Sequence, residues 1–250
     1  MTADRSTPDR PGRLYGVGVG PGDPDLLTLK AARIIGSAPV VAFFAKKGRT
    51  GNARRIVEGM IGPDAQELRL DYPFTTEIPV SDPRYHPEMA AFYDDAAATI
   101  ADRLEAGADV AVLCEGDPLF YGSYMYVHDR LADRFDTTVV PGITAMSGCW
   151  GRAGTPMTRG DDMLAVLSGT MAEDRLAERL NGADAAVIMK AGRNLKKIRS
   201  ALDRNGRLDR AVYVERGTMA EERILPLADK SDDNGPYFSL VLVPTVRRTV

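Results

Sequence analysis

Two Gly-Asp-Pro turns, Gly22-Asp23-Pro24 and Gly116-Asp117-Pro118, each follow an apolar run that reads as a buried strand. Glycine lets a ligand approach bare backbone, and the strand C-termini of open α/β sheets are where such folds bind small molecules. A third turn, Pro141-Gly142-Ile143-Thr144-Ala145, follows a further strand, so three loops can share one site. Asp23 and Asp117 each fit two roles, helix cap or ligand contact, and spacing alone leaves both open. Gly16, Gly18, Gly20 and Gly22 alternate ahead of the first turn and invite a dinucleotide reading. That reading fails. Pro21 or Asp23 stands where the third glycine belongs, and Val40–Phe44 offers no acidic residue for a ribose. No Gly-Lys-Ser/Thr follows either, which removes a P-loop.

The supply of other reactive side chains is thin. The 250 residues contain two histidines, His86 and His128, and two cysteines, Cys114 and Cys149. With so few nitrogen and sulfur ligands no zinc or transition-metal site is expected, and neither histidine sits where a Ser–His or Cys–His pair would place it. Each cysteine lies in or beside an apolar run and reads as a small buried hydrophobe. A net charge of −3 gives no bulk attraction to nucleic acid or anionic membrane. No apolar run approaches the roughly 20 residues of a spanning helix. The first residues lack the apolar core of a signal peptide, so a cytoplasmic location is expected, with residues 1–12 as a disordered lead-in.

The elements that must carry these loops alternate. Strands are expected at Leu14–Val19, Pro39–Phe44, Ala108–Cys114 and Thr137–Val140. Helices are expected after Asp23, from Met89 to Leu104, from Pro118 to about Arg134, and from Ile143 to about Ala153. Continuous apolar strands suit a parallel sheet covered on both faces. Residues 71–87, rich in Pro, Thr and Tyr, read as an irregular insert. Beyond Gly154 the strands Met163–Leu167, Ala185–Met189, Ala211–Glu215 and Phe238–Val243 follow one another with less helix between them, which predicts a mixed sheet. An α/β chain of two domains results: 13–145 with the glycine-rich loops, and 155–250 with the mixed sheet.

Five segments in order extend this reading. Gly16-Val-Gly-Val-Gly-Pro-Gly-Asp-Pro-Asp-Leu-Leu-Thr28, Glu115-Gly-Asp-Pro-Leu-Phe-Tyr-Gly122, Val140-Pro-Gly-Ile-Thr-Ala145, Ala186-Val-Ile-Met-Lys190 and Val214-Glu-Arg-Gly-Thr-Met219 resemble the successive motifs of the tetrapyrrole (corrin/porphyrin) methylase family. Each is weak alone; together they span nearly the whole chain. Glu115, Tyr72-Pro-Phe-Thr-Thr-Glu77 and Tyr121-Gly-Ser-Tyr-Met-Tyr126 point to one branch of that family. Gly217 stands where alanine is frequent, and Ile143 where valine is.

The resemblance implies the two-domain tetrapyrrole methylase fold, a ligand cleft between the domains holding S-adenosylmethionine, and a homodimer. Carried over by motif, the methyl donor is met by Pro21 from the first loop, Glu115, Gly116, Asp117 and Phe120 from the second, and Thr144 and Ala145 from the third. Met189, Gly217 and Thr218 contribute from the second domain. Transfer of a methyl from a sulfonium needs positioning and a dry site rather than a metal or a protein nucleophile, which agrees with the scarcity of both. The acceptor implied is a tetrapyrrole rimmed by carboxylates, so cationic and hydrogen-bonding groups should hold it. Lys46, Tyr72, Thr75, Thr76 and Arg193 are the residues expected there; Lys196 and Lys197 are expected to be solvated. A non-catalytic nucleotide-binding module is the reading from another class, and the intact loops at Pro21, Asp117 and Thr144 argue against it.

Overall fold

The computed structural model describes residues 10–75, 77–79 and 81–246. The chain divides into two compact units, Met1–Thr144 and Ala145–Val250.

The first unit is built on five strands: β1 (Leu14–Gly18), β2 (Val40–Lys46), β3 (Gln66–Tyr72), β4 (Val110–Cys114) and β5 (Thr137–Val140). They form one sheet in the order β3-β2-β4-β1-β5, every adjacent pair parallel. Period-two alternation sorts their side chains to two faces. Val40, Ala42 and Phe44 of β2 join Val110, Val112 and Cys114 under α3 (Tyr85–Glu105) and α4 (Tyr124–Leu131). Val41, Phe43 and Ala45 join Val17 and Leu113 under α1 (Leu29–Ser37) and α2 (Asn52–Ile56). Covering on both faces is why these strands carry unbroken apolar runs.

Several boundaries differ from the sequence expectation. Asp23 caps only a single 3-10 turn, Pro24–Leu26, by accepting the Asp25 N–H at 2.9 Å. The helix proper starts at Leu29, where Thr28 Oγ accepts the Ala31 N–H at 3.1 Å. Similarly α4 begins at Tyr124 rather than Pro118, because residues 118–123 are spent on turns. Strand β3 lies partly within and ahead of the segment read as irregular. Residues 1–9 of the expected lead-in lie outside the described residues, but Gly12 is no part of one. It is buried, its N–H donates to Leu104 C=O at 2.7 Å, and a Cβ there would collide with Ala108 C=O.

The second unit opens with α5 (Ala145–Arg152) and continues β6 (Leu164–Ser168), α6 (Glu173–Asn181), β7 (Ala185–Met189), α7 (Leu195–Arg204), β8 (Val212–Glu215), β9 (Arg223–Pro226) and β10 (Ser239–Val243). Its sheet runs β6-β7-β10-β8-β9: β6 and β7 are parallel, and the remaining pairs antiparallel. The mixed character expected from the sequence is therefore found. Helices α6 and α7 cover one face, against Ala186, Ile188, Val241 and Val243. On the other face Cys149 of α5 and Met157 pack against Ala185, Val187, Val214, Leu240 and Leu242. Among the described residues no helix is long and apolar enough to cross a membrane.

Candidate functional site

The three turns singled out in the sequence meet at one end of the parallel sheet. Gly20 and Gly116 pair as an isolated antiparallel bridge, with Gly116 N–H donating to Gly20 C=O at 2.8 Å. A Cβ on Gly18 would stand 2.6 Å from Gly142 N and 2.7 Å from Gly116 O, and one on Gly142 would stand 2.9 Å from Gly18 Cα. Glycine is thus demanded at Gly18 and Gly142 because backbone packs on backbone, loop against loop. At these two positions the bare backbone is taken up by the neighbouring loops rather than by an approaching ligand.

Asp117 joins two of the loops. One carboxylate oxygen accepts the Leu119 N–H at 2.9 Å, the other the Gly142 N–H at 3.1 Å. Of its two expected roles the geometry shows the structural one, bracing its own turn and fastening the Pro141-Gly142 turn to it. Glu115, one residue after β4, has an accessible side chain, and its Oε1 accepts the Ala53 N–H at 3.1 Å. Surrounding protein desolvates the carboxyl and raises its pKa, opposed by its own and the Ala53 N–H. Pro21 is buried, Phe120 and Thr144 are half-buried, and the rings of Phe120 and Tyr121 meet edge-on at 4.8 Å. Tyr121 holds a left-handed φ of 55°, which keeps the turn tight after Phe120.

Three of the residues expected to meet the acceptor also converge. Lys46 and Tyr72 are register partners at the ends of β2 and β3. Glu77 ion-pairs with Lys46 Nζ, and its Oε2 accepts from Thr75 N–H at 2.6 Å and Thr75 Oγ at 3.2 Å. Tyr72 stacks on Phe44 with centroids 5.5 Å apart, and its hydroxyl lies 2.5 Å from Ser123 Oγ, which also accepts from the Tyr93 hydroxyl at 3.1 Å. Thr76 lies outside the described residues. Ser123 had no sequence signal, since its role depends on two tyrosines brought from 30 and 51 residues away.

In the second unit Ala145 begins α5, Met189 ends β7 half-buried, and Gly217 and Thr218 form the turn after β8. Met189 packs in the same cluster as Cys149 and Val214, beneath that turn. Arg193 lines a cavity of about 300 Å³ together with Glu173, Asn194, Lys196, Lys197 and Ser200. Lys197 is half-buried and its pKa is lowered by desolvation, so it is less solvated than the sequence suggested. Both cysteines are unpaired and buried, as expected of small hydrophobes. Burial pushes both thiols up, that of Cys149 to about 12.

The chain is thus a two-unit α/β protein, with glycine- and proline-marked loops gathered at the strand ends of a wholly parallel sheet and a mixed sheet following. The chain belongs to the tetrapyrrole (corrin/porphyrin) methylase family, whose pattern matches residues 13–230. It is 61% identical to precorrin-2 C(20)-methyltransferase of Sinorhizobium sp over 93% of this chain and 95% of that protein. Against cobalt-precorrin-2 C(20)-methyltransferase of Salmonella typhimurium the identity is 30%, over 93% and 96%. Among solved structures, uroporphyrin-III C-methyl transferase from Thermus thermophilus complexed with S-adenyl homocysteine superposes with a TM-score of 0.64 at 25% identity, covering 93% of this chain and 92% of that one. The chain is a methyltransferase, and S-adenosylmethionine is its methyl donor.

Proposed function

We propose that the chain methylates the C-20 meso carbon of precorrin-2, giving precorrin-3A in the synthesis of the corrin ring. The observation that carries this reading is the near full-length similarity to the C-20 enzyme acting on the metal-free precursor, at about twice the identity found with its cobalt-using counterpart. Methylation of the cobalt-bearing substrate is the second reading.

The donor supplies an activated methyl on sulfonium, and the acceptor carbon gives up its proton once the new C–C bond has formed. What the chain supplies is position and shielding. Pro21, Glu115, Gly116, Asp117, Phe120 and Thr144 hold the donor from the first unit, with Ala145, Met189, Gly217 and Thr218 from the second. The fit to such a donor rests on Glu115, whose carboxylate is steadied by the Ala53 N–H, and on half-buried Phe120, Thr144 and Met189, which offer apolar and hydroxyl contact. Lys46, Tyr72, Thr75 and Thr76 meet the acceptor, with Arg193 contributing a cation for its carboxylate rim. The protein works as a cytoplasmic homodimer and engages neither nucleic acid nor membrane.

Titration of the purified chain with S-adenosylhomocysteine in a calorimeter tests the donor assignment. One equivalent binding per chain, weakened by Phe120→Ala or Thr144→Val, is expected. Absence of binding overturns it.

A further inference from the structure

The turn after β8 is conformationally costly. Arg216 and Thr218 both hold left-handed backbone, φ 47° and φ 69°, on either side of Gly217. Non-glycine residues in that region are disfavoured by about 1 kcal/mol or more each, and persist only where their surroundings fix them. Here the surroundings come from Glu222, in the loop just before β9, and from helix α5. Glu222 Oε2 accepts the Thr218 N–H at 2.6 Å. The same carboxylate is gripped by Arg152, at the end of α5, through Nε at 2.9 and 3.0 Å and a terminal nitrogen at 2.8 Å. Three residues earlier on α5, the buried Cys149 sulfur sits so close that a Cβ on Gly217 would overlap it. The Glu222 side chain is only 14% exposed, and its pKa is lowered first by Arg152 and then by the Thr218 N–H, so it is held as a carboxylate. Helix α5 is the one that begins at Ala145, directly after Thr144.

We propose that Glu222 is a positioning residue for the methyl donor, acting through Thr218. Clamped by Arg152, its carboxylate holds the Arg216–Thr218 turn in the left-handed form that presents Gly217 and Thr218, while Cys149 seats the turn from below. Helix α5 therefore fixes donor contacts at both of its ends: Ala145 by being its first residue, Gly217 and Thr218 through the clamp. Neither Glu222, Arg152 nor Cys149 belongs to the donor-contact set. The inference rests on Gly217 and Thr218 touching the donor.

The test is donor binding and steady-state kinetics in Glu222→Ala, Glu222→Gln and Arg152→Ala, with melting temperatures alongside. Glu222→Ala is expected to raise the S-adenosylhomocysteine Kd and the S-adenosylmethionine KM about tenfold. Its kcat at saturating donor and the tetrapyrrole KM should stay within about twofold. Glu222→Gln keeps an acceptor for the Thr218 N–H, so it should recover to within about threefold of the unsubstituted Kd; Arg152→Ala should fall between the two. If Glu222→Ala is too unstable to assay, the Gln and Arg152 variants carry the comparison. A lowered melting temperature with an unchanged donor Kd, or an equal fall in kcat and both affinities, overturns the clamp. Failure of the unsubstituted chain to bind S-adenosylhomocysteine would instead overturn the donor assignment beneath it.

Discussion

Gly217→Ala measures how tightly the second unit is fitted around the turn after β8. Gly217 is not in the left-handed region, so its backbone accepts alanine and only the space is at issue. The new Cβ would fall closer than 3.0 Å to Cys149 Sγ, a separation real Cβ atoms essentially never show, and 3.1 Å from Val214 Cγ1. Neither neighbour can swing away, since both are buried in the cluster that joins α5 to the sheet. Overpacking of this kind costs about 1–3 kcal/mol. We expect about 2 kcal/mol, seen as a melting temperature lower by about 4–8 °C for a chain of this size. Cys149→Ala alone removes a buried sulfur and should cost about 1 kcal/mol. In the double variant the added Cβ would face Cys149 Cβ at 3.5 Å, ordinary contact, and most of the clash disappears. Urea unfolding of the four proteins should therefore show a favourable coupling of about 2 kcal/mol. Additivity within about 0.5 kcal/mol would refute the claim that Cys149 is why glycine stands here.

Three further outcomes follow from the first-unit loops and the thiols. Asp117→Ala leaves the Leu119 and Gly142 N–H groups without their acceptors, which should cost about 2 kcal/mol and raise the donor Kd at least tenfold; a Kd within twofold in calorimetry would show that the loops do not need this brace. For Glu115 desolvation sets the folded pKa above the unfolded one, so ionisation opposes folding. The stabilising contribution is full below the unfolded pKa and is lost as pH rises through the raised one. Glu115→Gln keeps an acceptor for Ala53, so it should melt higher than the unsubstituted chain at about pH 8 and no higher at about pH 4; the reverse pattern would contradict the sign of the shift. Cys114 and Cys149 are buried with raised pKa values, so an aromatic disulfide reagent at about pH 8 should modify neither in the folded chain and both in urea.

The parallel sheet was legible because β1, β2 and β4 are covered on both faces and so carry apolar or glycine residues at every position except Lys46, the exposed last residue of β2. Strand β3 was not. It lies at the sheet edge, and of its seven residues only Leu68, Leu70 and Tyr72 pack inward, so Gln66-Glu67 and Asp71 make it read as polar loop. The edge strand β9 holds four residues, Arg223–Pro226, too few to show a period. Asp23 misled the helix start because capping chemistry does not reveal how many residues it organises; one 3-10 turn satisfied it, and Thr28 supplied the true cap. For the site, the loops could be found from the sequence because glycine and proline mark them. Their supports could not. Ser123 between two tyrosines, Lys46 against Glu77 and Arg152 against Glu222 are contacts across 30 to 70 residues, which no local pattern encodes.

The proposed reaction is a single methylation at one carbon of a metal-free tetrapyrrole. Incubating the chain with precorrin-2 and S-adenosylmethionine labelled with carbon-13 in its methyl group, then locating the label by NMR, tests it most directly. One labelled methyl on C-20, formed faster than in a parallel incubation with the cobalt-bearing precursor, is the result expected. Label on any other carbon, or preference for the cobalt form, would rule that reaction out.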